Sequence, residues 1–93
     1  MPEQAGRARV VNLRVTNCDV YIGRPSLWGN PYRIGRDGTR AAVLAKFRVY
    51  LRDDPALQAR ARHELSGQRL GCYCAPLPCH GDLLAALVNG ERW

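Results

Sequence analysis

Leu70-Gly71-Cys72-Tyr73-Cys74-Ala75-Pro76-Leu77-Pro78-Cys79-His80-Gly81-Asp82-Leu83-Leu84 starts apolar, turns on two prolines and runs into a stretch that stays apolar to Val88. Leu70 to Cys74 reads as a short buried strand, the prolines as an extended turn, and Gly81 to Val88 as an amphipathic helix. Residues two apart on a strand face the same side, so Cys72 and Cys74 point together. Cys79 and His80 fall where the helix begins. A helix start carries unpaired amide donors and partial positive charge, which favour bound anions and lower the pKa of a thiol placed there. The stretch therefore suits a zinc site, with Cys72, Cys74 and Cys79 as ligands and His80 as the fourth, or a reactive Cys79 supported by His80 and Asp82. A plainer reading makes the cysteines small buried apolar residues.

Outward from this stretch, the order of elements indicates the fold class. Arg9 to Leu13 and Asp19 to Gly23 read as two short strands, close enough in sequence to form a hairpin. Thr39 is a good N-cap for a helix to about Arg52, with Val43, Leu44, Phe47, Tyr50 and Leu51 on one face. Asp54 and Pro55 open a second helix in which Leu57, Ala61 and Leu65 recur every four residues before Gly67. His63 on that helix is a surface or packing residue. The pattern predicts a small single-domain α/β fold, a short mixed sheet with about three helices, over residues 9–93. Residues 1–8 read as a flexible lead.

Gly23 to Gly35 is too rich in glycine and proline for regular structure, yet carries Arg24, Ser26, Trp28, Asn30, Tyr32 and Arg33. Such a mixture on glycine turns makes a ligand-binding surface, although Trp28 and Tyr32 also suit the role of core caps. In open α/β sheets, ligands collect beyond the carboxyl ends of the strands, so this loop and the cysteine loop are expected to share one site.

The chain of 93 residues carries a formal net charge of +6, and Lys46 is the only basic residue that is not arginine. Arginine's planar fork recognises phosphate bidentately and stacks on bases, so the balance permits a phosphate-bearing small molecule or a nucleic acid as partner; a GC-rich coding sequence would produce the same bias. No apolar run approaches a membrane span, and no signal peptide precedes the domain, which predicts a cytoplasmic protein with no membrane partner and reduced thiols.

Val11-Asn12-Leu13, Asp19 to Ser26, Trp28 to Pro31, Asp37 to Arg40, Leu70 to Pro76 and Cys79 to Asp82 together resemble the DUF4326 family of small bacterial and phage domains of unknown function. The likeness runs from Val10 to Asn89, with Tyr73 where tryptophan is expected in many relatives. The Cys-His loop before a helix is also similar to that of the DUF488 group, which implies a Rossmann-like arrangement.

Three functions compete. One is an enzyme or binding domain for a nucleotide, nucleoside or nucleic-acid base, with Arg24, Arg33 or Arg40 on phosphate, Trp28 or Tyr32 stacked on a base, Ser26 and Asn30 lining the site, and Cys79, His80 and Asp82 doing the chemistry. Another is a zinc-stabilised nucleic-acid-binding module. The last is a phage protein-interaction module with the Trp28 loop as its contact patch.

Overall fold

The computed structural model of the protein describes residues 7–93. In chain order the elements are β1 (Arg9–Asn12), β2 (Val20–Tyr21), α1 (Arg40–Arg52), α2 (Pro55–Glu64), β3 (Arg69–Cys72) and α3 (His80–Val88). The α/β expectation holds, with three helices and one three-stranded sheet.

The sheet differs from expectation in direction and order. β3 lies between β1 and β2 and pairs with both in parallel, Arg9 opposite Arg69 on one edge and Val20 opposite Leu70 on the other. The sheet is thus wholly parallel instead of mixed, and β1 and β2 do not form a hairpin. Parallel strands need a crossover, and here it is the segment from Leu13 to Asp19, which contains no helix.

Two glycines make the packing of both sheet faces possible. A Cβ on Gly71 would stand 2.5 Å from Cys18 Sγ and 3.0 Å from Leu13 Cδ2, so the crossover lies directly on this residue. On the opposite face Leu70 and Cys72 are buried, as the alternation of a strand requires. There α3 approaches closely: a Cβ on Gly81 would meet Ile22 Cδ1 at 2.5 Å and Val10 Cγ2 at 2.9 Å. Leu83, Leu84 and Leu87 of α3 complete that side of the core.

The helices start and stop where local chemistry directs. Thr39 accepts the amide of Ala42, and Asp54 accepts that of Leu57 with Pro55 in the first turn, each cap contributing about 1 kcal/mol. α1 buries Val43, Phe47 and Leu51, while Leu44 is half-buried and Tyr50 stays exposed. Each buried apolar side chain contributes about 1.5–3 kcal/mol. His63 is exposed, as expected.

The flexible lead expected over residues 1–8 falls outside the described residues except at its end. Ala8 is buried and exchanges two hydrogen bonds with the Asn89 side chain, at 2.8 and 2.9 Å, so the ordered domain begins before Arg9.

Gly71→Ala is expected to destabilise the fold by about 1–3 kcal/mol through overpacking against the crossover. Urea melts check this, and Cys18→Gly in the same chain should recover part of the loss. A neutral Gly71→Ala would contradict the packing described.

Candidate functional site

All three strands run parallel, so their carboxyl ends open onto one rim, where ligands of such sheets gather. At that rim lies a cleft of about 480 Å³, within the range of ligand pockets. Arg24, Asn30, Tyr32 and Arg33 reach it from the glycine-rich loop, and Cys72, Cys74, Cys79 and His80 from the cysteine loop and its flanks. The two segments share one cavity, as the sequence implied. Arg40 joins them, its guanidinium donating to the Pro78 carbonyl at 2.9 Å from the first turn of α1.

The glycine-rich loop holds its shape through Asn30. Its buried amide donates to the Val43 carbonyl at 3.3 Å and accepts the Tyr32 amide at 2.9 Å, while its own carbonyl accepts from Arg24 at 3.0 Å. Asn30 therefore spends its side chain on the fold, although it borders the cleft.

Of the two roles open to Trp28, base stacking and core capping, the structure places it in the second. It is only 5% exposed and belongs to the hydrophobic core, so it neither stacks on a base nor offers a contact patch. The apolar interior gains more from the indole than the solvent-facing loop could. Ser26 is half-buried and also lies off the cleft. The aromatic rings that line the cleft are those of Tyr21, Tyr32 and Tyr73, of which the first and last read from the sequence only as strand residues. The sequence signal that could have found them is their position at the carboxyl ends of predicted strands.

The cysteine loop is arranged for burial more than for reactivity. Cys72 and Cys79 are both buried, with their Sγ atoms 3.6 Å apart. Burial, then the neighbouring Cys72 and Asp82, push the Cys79 thiol up to about 12, and the Gly81 amide opposes this only in part. The lowered thiol pKa expected of a helix start is thus reversed, because desolvation outweighs the dipole. His80 packs edge-on to Phe47 with ring centroids 5.2 Å apart, and its Nε2 donates to the Ile22 carbonyl at 2.7 Å. Burial holds its pKa below the usual value; the Ile22 carbonyl pulls upward, and the positive Arg24 adds to the lowering. A neutral imidazole cannot stabilise a neighbouring thiolate by charge.

Asp82 does not reach the cleft. At the third position of α3 its carboxylate accepts the Cys79 amide at 3.1 Å, and it borders a separate groove beside Val11 and Asn12. The expected triad of Cys79, His80 and Asp82 is therefore a helix start with its cap. No three Cys, His, Asp or Glu side chains among the described residues converge to hold a metal ion. Nor is any described helix long and apolar enough to cross a membrane.

Fold and cleft define a small parallel α/β domain with a basic cavity at the carboxyl edge of its sheet. The chain belongs to the DUF4326 family: the profile described as "Domain of unknown function (DUF4326)" matches residues 6–90. It is 41% identical over 85 residues to the "Uncharacterized 12.4 kDa protein in nrdA-td intergenic region" of Enterobacteria phage T4, covering 87% of this chain and 77% of the phage protein. To "Uncharacterized protein R718" of Acanthamoeba polyphaga mimivirus it is 30% identical over 93 residues, covering 81% and 70% respectively. No solved structure matches.

Two buried groups, His80 and Cys79, act on stability at opposite ends of the pH range, beside the exposed carboxylates of Asp19 and Asp37, which Arg69 and Arg36 hold below the usual range. His80 prefers to be neutral in the fold, so protonation of the unfolded chain withdraws its contribution as pH falls below 6.5. Cys79 prefers to stay protonated, so its contribution is complete below 9.0 and is lost as pH rises from there toward about 12. Urea melts across pH should show His80→Asn flattening the acid limb and Cys79→Ala the alkaline limb. Limbs identical to those of the parent would contradict the assignments.

Proposed function

We propose that the cleft binds a phosphate-bearing small molecule, a nucleotide or nucleoside phosphate, and that the cysteine loop serves as its floor. One observation carries the reading. Arg24, Arg33 and Arg40 border the cavity, and no described residue lining it is a carboxylate. Guanidinium forks make charge-assisted, bidentate bonds to phosphate oxygens. A further feature favours an anion. α1 and α3 begin at the cleft residues Arg40 and His80, directing the positive ends of two helix dipoles toward the cavity. The tyrosines add faces on which a base can stack.

Binding suits this cavity better than thiol catalysis. A nucleophile must be a thiolate, and Cys79 is buried and protonated at neutral pH. A nucleic-acid strand would present the same phosphate chemistry, so short DNA and RNA belong in the test beside mononucleotides. Calorimetric titration should give Arg24→Ala and Arg33→Ala each about 1.5–3 kcal/mol weaker binding with an unchanged fold. Lysine should rescue neither fully. Absence of heat from every nucleotide and oligonucleotide, or variants that bind like the parent, would refute the reading.

A zinc-stabilised module is the second reading, and the thiol pair is what favours it. Two thiolates on tetrahedral zinc, each about 2.3 Å from the ion, stand about 3.8 Å apart, close to the 3.6 Å between Cys72 and Cys79. The described side chains fit only these two positions, since Cys74 and His80 do not complete the set. Under this reading, elemental analysis of untagged protein returns about one equivalent of zinc, and chelator lowers the melting temperature. Metal-free protein whose melt ignores chelator and is equally unaffected by serine at Cys72, Cys74 or Cys79 would exclude it.

A further inference from the structure

We infer that the ligand of this cleft is a phosphate monoester or diphosphate taken up free of any divalent cation. The inference rests on the phosphate reading above and adds the ligand's charge state and class. Magnesium bound with a nucleotide is normally held by one or two protein carboxylates together with the phosphates. The described lining offers none. The aspartates nearest in sequence to the lining residues are committed elsewhere. Asp37 accepts the Arg33 amide at 2.8 Å and pairs with Arg36, Asp82 accepts the Cys79 amide, and Asp19 pairs with Arg69.

The positive charge of the cleft is matched to a bare phosphate. Three guanidiniums border it, and His80, held neutral by burial, adds no charge. A phosphate monoester carries about −1.5 to −2 at pH 7, and a diphosphate roughly one charge more. Either is neutralised by the arginines alone, whereas a divalent cation beside them would meet like charge. Two of the three forks are also held in advance. Arg24 spends one nitrogen on the Asn30 carbonyl and Arg40 one on the Pro78 carbonyl, leaving their other donors for the ligand. Among the described residues the Arg33 side chain makes no hydrogen bond and is exposed, which leaves it available to complete the clamp.

Adenosine monophosphate, adenosine diphosphate and inorganic pyrophosphate, titrated calorimetrically in EDTA and then in excess magnesium, test this. The monophosphate Kd should move by less than about twofold between the two conditions, while diphosphate and pyrophosphate, which chelate magnesium, should bind at least about tenfold weaker in its presence. Arg33→Ala should weaken all three in EDTA without shifting the thermal melt. Diphosphate binding that requires magnesium, tightens with it or ignores it overturns the inference and leaves a phosphate site standing. Silence from all three probes in both conditions overturns the phosphate reading as well.

Discussion

The architecture depends on β3 lying between two parallel neighbours. It pairs with β1 over Arg69 to Cys72 and with β2 over Leu70 and Gly71, and among the described strands it alone has a neighbour on both edges. Leu70, Gly71 and Cys72 are buried. A strand so enclosed must present very little on one face, which Gly71 achieves, and apolar atoms on the other, which Leu70 and Cys72 supply. Once β3 is central, the chain leaving it has one course: over the rim, through Pro76 and Pro78, and back down as α3 against Val10 and Ile22. The cleft is the space left where that return meets the glycine-rich loop.

The electrostatics of the cleft divide between its wall and its floor. The wall carries the guanidiniums of Arg24, Arg33 and Arg40. The floor carries the buried Cys72 beside Cys79 and His80, the last two kept neutral by desolvation, and for Cys79 that cost exceeds the attraction of the helix start. A positively charged wall thus stands above a floor in which Cys79 and His80 are neutral. A reactive thiolate at a helix start needs partial exposure and a cationic neighbour; Cys79 is instead buried beside a neutral His80.

Local rules were sufficient wherever neighbours in sequence are also neighbours in space. Thr39, Asp54 and Pro55 marked their helix starts because a cap bonds within three residues. The periodicity of Val43, Phe47 and Leu51 declared the buried face of α1, and Leu57, Ala61 and Leu65 that of α2. The joining of the glycine-rich and cysteine loops in one site was also legible, since both follow strands of an α/β chain. Strand order was not. β1 and β2 look like a hairpin because they are close in sequence, and the strand that separates them enters nearly fifty residues later.

The sequence by itself determined the α/β class, the helix starts, the family resemblance and the two segments that meet at the cleft, because each is written in short-range pattern. Tertiary structure alone decided what the individual side chains do there. Trp28 went to the core, Asn30 to bracing its loop, Asp82 to a cap, and Tyr21 and Tyr73 to the cleft. It also reversed the expected state of Cys79. Burial, the quantity that sets both a thiol's pKa and a tryptophan's role, is a sum over atoms from distant parts of the chain and has no local signature.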